Sequence, residues 1–249
     1  MIEWSYYSTK ELDGQISRID SHVHMLTMQL QQLSSLQDTA ILPCLGHFHD
    51  EKRHRYALVF RYPDDHSIAS PTSLGDRLRS DQPQRIRPDL DYRFRLERSL
   101  ALTLHQMFCV NWLHKHLSSD NILLFEHSAD FASLDQPYVC GFGLARRDTK
   151  LEVSERLPSV YQDTYRSIEQ RLYQHPDRNS DSDPPRYRVE YDVYSLGVLL
   201  LEIGLWCSAG RILKDCQTED LDVVARELKK TYAPELRSRM GKTYADIVL

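Results

Sequence analysis

The chain has 249 residues, 41% of them hydrophobic, which is enough to bury a sizeable core as one compact unit of one or two lobes and too many for a disordered tail. Its 31 basic and 36 acidic side chains leave a formal charge of −5, a balance that favours neither nucleic acid nor an anionic membrane as a partner. The five cysteines, Cys44, Cys109, Cys140, Cys207 and Cys216, are odd in number and lack any C-x-x-C or His-paired metal spacing, so they read as reduced packing thiols.

No basic stretch followed by an apolar run opens the chain, so a secretory signal is not expected. The longest apolar run, Leu196 to Cys207, includes Glu202 and is 12 residues long, whereas a bilayer span needs about 20. A cytoplasmic protein without a membrane span is therefore the expectation.

Ile2 to Tyr7 is a short aromatic strand. Ile16, Ile19, Val23, Leu26, Leu30 and Leu33 then recur at helical spacing and predict a helix with one face on a sheet. Leu42 to Phe48 and Tyr56 to Phe60 are two further strands, joined by the charged turn His49 to Arg55. Arg61 to Pro71, with its prolines, is a connector, and Thr72 to Arg79 a short helix.

A long helix follows, with Asp89 or Asp91 suited to its start and Leu96, Leu100, Leu104, Met107 and Phe108 on its apolar face. Its arginines Arg93, Arg95 and Arg98 read as a solvated face. Asp177 to Arg186 is a surface loop, and Val193 to Trp206 is apolar almost all round, as a helix buried inside a larger domain would be. Tyr194 and Glu202 on that helix then need partners, because an unpaired buried polar group costs about 1–3 kcal/mol. Leu221, Val224, Ala225 and Leu228 form another stripe behind Thr218, up to Pro234, and a last helix runs through Leu236, Met240, Tyr244 and Ile247.

Four blocks along this framework share one pattern. His114, Leu117 and Asn121 stand as in the phosphotransferase loop H-R-D-L-x-x-x-N, but His116 takes the place of the Asp that receives the substrate's proton. Gly141-Phe142-Gly143 reads as D-F-G with glycine where the metal-binding Asp should be. Tyr173 to Asp177 sits where A-P-E is expected, and Tyr191 to Gly197 is similar to the D-x-W-S-x-G that opens a large central helix. Each block is weak alone, and the ordered set is strong.

Taken together these segments resemble protein-kinase-like domains of a fungal group associated with HeLo and prion-propagation proteins, most clearly from Asp91 to Trp206. The resemblance implies an α+β protein-kinase-like fold with a reduced, incomplete N-lobe over residues 1–60, a hinge at 61–71 and a mainly helical C-lobe over 72–249, truncated near its end. It implies that Asp192 braces the loop around His114, and that Lys115 replaces the arginine that would clasp a phosphorylated segment, without its bidentate fork. Thr149, Ser154, Ser159, Tyr161, Thr164 and Tyr165 are the available phosphate acceptors, best read as ordinary loop residues.

The chemistry looks disabled. Magnesium wants hard oxygen ligands, Gly141 offers no side-chain oxygen, and Asn121 with Asp120 makes a weak set. Neutral His116 could accept a proton near pH 7. No G-x-G precedes the first helix, Trp4 and Ser5 fall where a strand lysine is needed, and only Gln29, Gln31 and Gln32 lie near the level of its helix glutamate. The expected protein is a pseudokinase, a regulatory or scaffolding module with a protein partner, linked by the resemblance to fungal cell-death signalling. Its cofactor-site candidates are Asn121, Asp120, Gly141, Phe142 and Gly143, with His116 at the catalytic position, no metal site, and ATP as the one cofactor to consider, without strong magnesium dependence. The alternative is an atypical kinase that uses His116 as base and transfers phosphate to Ser or Thr. Oligomeric state is left open.

Overall fold

The computed structural model describes residues 1–7, 16–63, 71–80, 87–125, 136–148, 168–178, 185–216, 223–224, 226 and 228–248. The six phosphate-acceptor candidates between Thr149 and Tyr165, together with Thr218, Leu221 and Ala225, lie outside them, as does most of the 61–71 connector.

Strands β1 (Ile2–Tyr6), β2 (Cys44–Asp50) and β3 (Arg55–Phe60) form an antiparallel sheet in the order β1-β3-β2. Side chains alternate across a strand, so β1 is two-faced. Ile2, Trp4 and Tyr6 look outward, where Trp4 meets the edge of Phe48 and carries the Arg55 guanidinium 3.5 Å from its ring centre. Glu3 and Ser5 look the other way. Helix α1 (Ile16–Leu33) lays Val23, Leu26, Leu30 and Leu33 into the core, while Ile16, the first residue of the predicted stripe, is exposed. The β2–β3 connection is a single 3-10 turn, Glu51–Arg53, closed by His54 in the left-handed region at φ 50°.

The short strand β4 (Thr72–Ser73) leads into α2 (Leu74–Arg79), whose first turn is capped by the Ser73 hydroxyl accepting from the Asp76 N–H at 3.0 Å. Helix α3 (Leu90–Cys109) begins at Asp89, which accepts the Tyr92 N–H at 2.7 Å, as its sequence predicts. After it come β5 (Trp112–Leu113), β6 (Ile122–Leu124), β7 (Pro137–Val139) and β8 (Arg146–Arg147), which pair as β4-β6-β7 and β5-β8. Then follow α4 (Ile168–Leu172), the central α5 (Val189–Leu205), α6 (Ala209–Cys216), a π turn (Leu228–Tyr232), α7 (Ala233–Met240) and α8 (Lys242–Val248).

Helix α5 is buried over most of its surface, although Val193 on its first turns is half exposed. Glu202 finds the partners that its burial demands: the Tyr173 hydroxyl donates to it, and so does the Ala209 N–H at 2.6 Å. Tyr194 packs its ring 5.1 Å from His175.

Two expectations are corrected. Arg93 is only 3% exposed, because its place on α3 turns it toward α5, where the guanidinium donates to the Gly204 carbonyl at 2.8 Å; Arg95 and Arg98 do face solvent. The last helix is two helices, because Gly241 adopts φ 91°, a conformation costly for side-chain-bearing residues, and Ile247 is left 74% exposed.

Helix α8 is tied to the body through Tyr244, whose hydroxyl lies 2.6 Å from Glu97 Oε1 and 2.7 Å from the Leu200 carbonyl. One hydroxyl proton cannot serve both acceptors fully, whereas a protonated Glu97 donates to the tyrosine and frees its proton for the carbonyl. Burial pushes the Glu97 carboxyl up to about 7, against the lowering pull of Tyr244 and Arg93. A carboxyl that holds its proton more tightly when folded adds stability below its unfolded range, and this is lost as pH rises through 7. Between pH 5 and 8 the wild type should therefore lose on the order of 1–3 kcal/mol more stability than Glu97→Gln. Urea titrations of both proteins across that range measure the difference.

Candidate functional site

Asp192, fully buried in the first turn of α5, organises the centre of the molecule. Its carboxylate accepts from the His114 N–H at 2.6 Å, the Lys115 N–H at 2.8 Å and the Tyr187 hydroxyl at 2.7 Å. That grip holds Lys115 at φ 66°, a conformation a side-chain-bearing residue keeps only when its surroundings impose it. Burial raises the Asp192 carboxyl, and the bonds from Tyr187 and the two backbone groups oppose the rise.

His114 is equally buried and its tautomer is dictated by its neighbours. Nε2 lies 3.0 Å from the Cys140 carbonyl and must donate, while Nδ1 accepts the His116 N–H at 3.3 Å. Burial, with a smaller push from His116, lowers the ring to about 3, so it stays neutral. Against it stands Phe142, wholly buried, with ring centres 5.1 Å apart, and Phe60 of β3 lies 6.1 Å from Phe142 on the other side. A continuous aromatic contact thus runs from the loop through Phe142 into the sheet.

His116 is half-buried beside Asn121: the Asn121 amide donates to the His116 carbonyl at 2.7 Å and lies 3.3 Å from its Nδ1. Gly141 faces the same amide. A Cβ there would sit 2.7 Å from Asn121 Cγ, and the backbone at φ 84° disfavours any side chain. Asp120 is not part of this group. Its carboxylate is paired with Arg79 of α2 at 2.6 Å, and the close approach of α2 needs Gly75, whose Cβ would fall 2.2 Å from Asp120 Oδ1. The structure thus brings His116, Asn121, Gly141 and Phe142 together and leaves Asp120 out.

The residue that sequence reasoning missed is Glu3. Its carboxylate reaches from β1 to accept the Gly141 N–H at 3.1 Å and the Phe142 N–H at 3.0 Å, and Ser5 donates to the Gly143 carbonyl at 3.4 Å. Glu3, rather than Trp4, points at this loop, because the strand register puts positions 3 and 5 on its side. The signal was present as two polar residues two apart in an otherwise aromatic strand. Burial pushes Glu3 up to about 7, with Phe142 and Gly141 bonding in the opposite sense.

Helix α1 sends His22 to the same region. Its Nε2 lies 2.9 Å from the Arg146 guanidinium, which itself donates to the Ala145 carbonyl at 2.8 Å. Burial, then the Arg146 charge, lower His22 to about 3, against the pull of the Ala145 carbonyl 3.0 Å from the same Nε2, so the ring is neutral. Gln29 bonds Gln32 at 2.6 Å on the solvent side of α1. Lys115 extends its ammonium over the Tyr187 ring at 5.3 Å. Asp177, at the position matched to the A-P-E glutamate, is an exposed side chain near His175, and the buried contact is made by Tyr173, bonded to Ser119 at 2.9 Å and to Glu202.

These residues do not suit a magnesium ion. Gly141 has no side-chain oxygen and no room for a side chain, Asp120 is committed to Arg79, and the Asn121 amide is held by the His116 carbonyl. Among the described residues no three His, Cys, Asp or Glu side chains converge where a metal could sit, and no helix is long and apolar enough to cross a membrane.

A small antiparallel sheet with one helix, followed by a helical body around a buried central helix, is a protein-kinase-like fold. The structure of the Cydia pomonella granulovirus kinase PK-1 is similar, with a TM-score of 0.50 and 17% identity over 74% of this chain. The match spans 57% of that kinase's length, and at this identity the likeness is one of fold. The chain belongs to the family described as Domain of unknown function (DUF7580), whose model matches residues 14–249. No curated protein matches it.

Two substitutions test this geometry. Asp192→Ala leaves two buried N–H groups and a hydroxyl without their acceptor, and should cost about 3 kcal/mol or more, read as a drop in Tm of roughly 6–12 °C. Gly141→Ala should cost about 1–3 kcal/mol from backbone strain and crowding, and Asn121→Ala in the same chain should recover the crowding part, read by urea denaturation as a double-mutant cycle.

Proposed function

We propose that this chain is a catalytically impaired kinase-like domain, a pseudokinase that works as a regulatory or scaffolding module through a protein partner. The observation that carries the reading is Gly141. Phosphoryl transfer rests on positioning and on neutralising the triphosphate's charge, and the position matched to the metal-binding carboxylate has no side-chain oxygen and no space for a side chain beside Asn121. Glu3 supports the same conclusion from the opposite direction, because it brings a carboxyl to the loop at the strand where a kinase needs a lysine.

What is retained favours a role in shape. Asp192, His114 and Phe142 form a bonded and packed centre that keeps the loop, the central helix and the sheet in one arrangement. In this reading residues 1–60 are a reduced N-lobe and 72–249 the C-lobe, with the connector 61–71 as hinge. His116 and Asn121 are inherited positions that hold each other. The resemblance of the motifs extends the proposal to a partner in fungal cell-death signalling of the HeLo-associated kind.

The test pairs nucleotide titration by thermal shift, with and without magnesium, with a phosphotransfer assay using labelled ATP. The expected result is no magnesium-dependent stabilisation and no incorporation above a no-protein blank. Magnesium-dependent incorporation that is lost in Asn121→Ala and His116→Ala would establish the atypical kinase instead.

A further inference from the structure

Two arginines hold the far end of α5, and a third lies within reach of their charge. The helix closes at Trp206, which is left-handed and returns its N–H to the Glu202 and Ile203 carbonyls. The next two carbonyls, of Gly204 and Leu205, belong to the last turn, whose acceptors a helix cannot satisfy by itself. Arg93 of α3 donates to the first from Nη1 at 2.8 Å, and Arg239 of α7 donates to the second, also from Nη1 at 2.8 Å. Two guanidinium groups are thus fixed at adjacent residues. Arg87 is the third, two residues ahead of the Asp89 cap of α3.

Capping the helix accounts for the first two and not for the third. Arg87 is half-buried, and among the described residues its guanidinium has no hydrogen bond and no ion pair. Arg93 is buried, yet it gives one N–H to Gly204 and leaves its Nε without a partner. Burial and then the Arg239 charge pull Arg87 below the usual arginine range, and burial and then Arg87 do the same to Arg93. All three stay charged. The carboxyls nearby offset them only in part. Glu235 pairs with Arg239, whereas Glu97 lies 2.6 Å from the Tyr244 hydroxyl and is pushed by burial up to about 7. Three cations against one paired anion and about −0.5 from the helix end leave an excess of roughly 1.5 positive charges. Burial makes such an excess costly.

We propose that Arg87, Arg93 and Arg239 form a binding site for a phosphate group. The charge selects the ligand, because a phosphate group carries about −1.5 to −2 near pH 7 and three acceptor oxygens, whereas a carboxylate would leave part of the excess standing. Guanidinium forks match those oxygens. Arg87 and the Nε of Arg93 supply donors that no described residue takes up. The site is separate from the loop around Asp192, which stands in the first turn of α5, while Gly204 follows 12 residues later, about 18 Å along the helix. It therefore depends on neither the loss of catalysis nor a nucleotide in the cleft. Free phosphate and a phosphorylated serine offer the same chemistry, and the test separates them.

Calorimetric titration of the intact chain at neutral pH and constant ionic strength measures it, with inorganic phosphate in one arm and a short phosphoserine peptide in the other, against the same peptide unphosphorylated. The expected result is saturable binding of phosphate that Arg87→Gln weakens by about 10- to 100-fold. The same loss of charge at Arg53, an exposed residue of the β2–β3 turn, should leave it unchanged in Arg53→Gln. Tighter binding of the phosphoserine peptide than of the free ion assigns the site to a phosphorylated segment, and equal or weaker binding assigns it to free phosphate. Because Arg87 makes no bond within the fold, Arg87→Gln should melt no lower than the wild type in phosphate-free buffer. Absence of saturable binding in either arm overturns the proposal. So does phosphate binding that Arg87→Gln leaves intact, or that Arg87→Gln and Arg53→Gln weaken alike. Should the glutamine variant not fold, Arg87→Lys, which keeps the charge and loses the fork, decides by the same comparison.

Discussion

A single buried carboxylate sets the geometry of this molecule. Asp192 collects two consecutive backbone N–H groups and a tyrosine hydroxyl, and so joins the central helix to a loop that would otherwise have to bury unpaired donors. The strained conformation of Lys115 persists because that carboxylate over-determines it. With the loop held, His114 can donate to Cys140 and lie against Phe142, and Phe142 can reach Phe60 in the sheet. One line of contact between the helical body and the sheet thus starts at this anchor, and the bonds of Glu3 and Ser5 to the Gly141–Gly143 turn make a second.

Around the anchor, buried acids and histidines are held away from their ordinary titration ranges. Glu3, Glu97 and Glu202 are all raised to about 7 by burial, and each has neutral donors as its bonded partners. His22 and His114 are lowered to about 3 and stay neutral. Buried acids near neutrality are a cheaper arrangement than fully ionised ones, because desolvating a charge without a counter-charge costs several kcal/mol. They also make the protein responsive in a range where an ordinary carboxyl is inert. The acids and histidines act in opposite senses below about pH 6.5, and of these groups only the acids still contribute as pH rises from there through 7.

Much of the fold was legible because local rules sufficed. The stripe from Val23 to Leu33, the Asp89 cap of α3 and the all-round apolarity of α5 each follow from spacing or from a terminal hydrogen bond, and each appears in place. The misreadings were made where a neighbour decides. Arg93 sits in a charged-looking stretch of α3, yet crosses to a carbonyl of α5. Gly241 interrupts what periodicity presents as one helix. The two-residue strands β5 and β8 exist only because they find each other.

The candidate site divides along the same line. The sequence alone supplied the reading that matches His116 and Gly141 to positions where a kinase carries carboxylates, a comparison of residue identities that needs no coordinates, and it determined the helical spacing that buries α5. Tertiary structure decided that Asp120 belongs to Arg79, that Asn121 crowds Gly141, and that Glu3 reaches across the chain to the same turn. The physical reason is range. Periodicity and capping act over one or two turns of chain, whereas the partner that settles a carboxylate's charge and direction here lies 41 residues away for Asp120 and 138 for Glu3, and only packing brings such groups within a hydrogen bond.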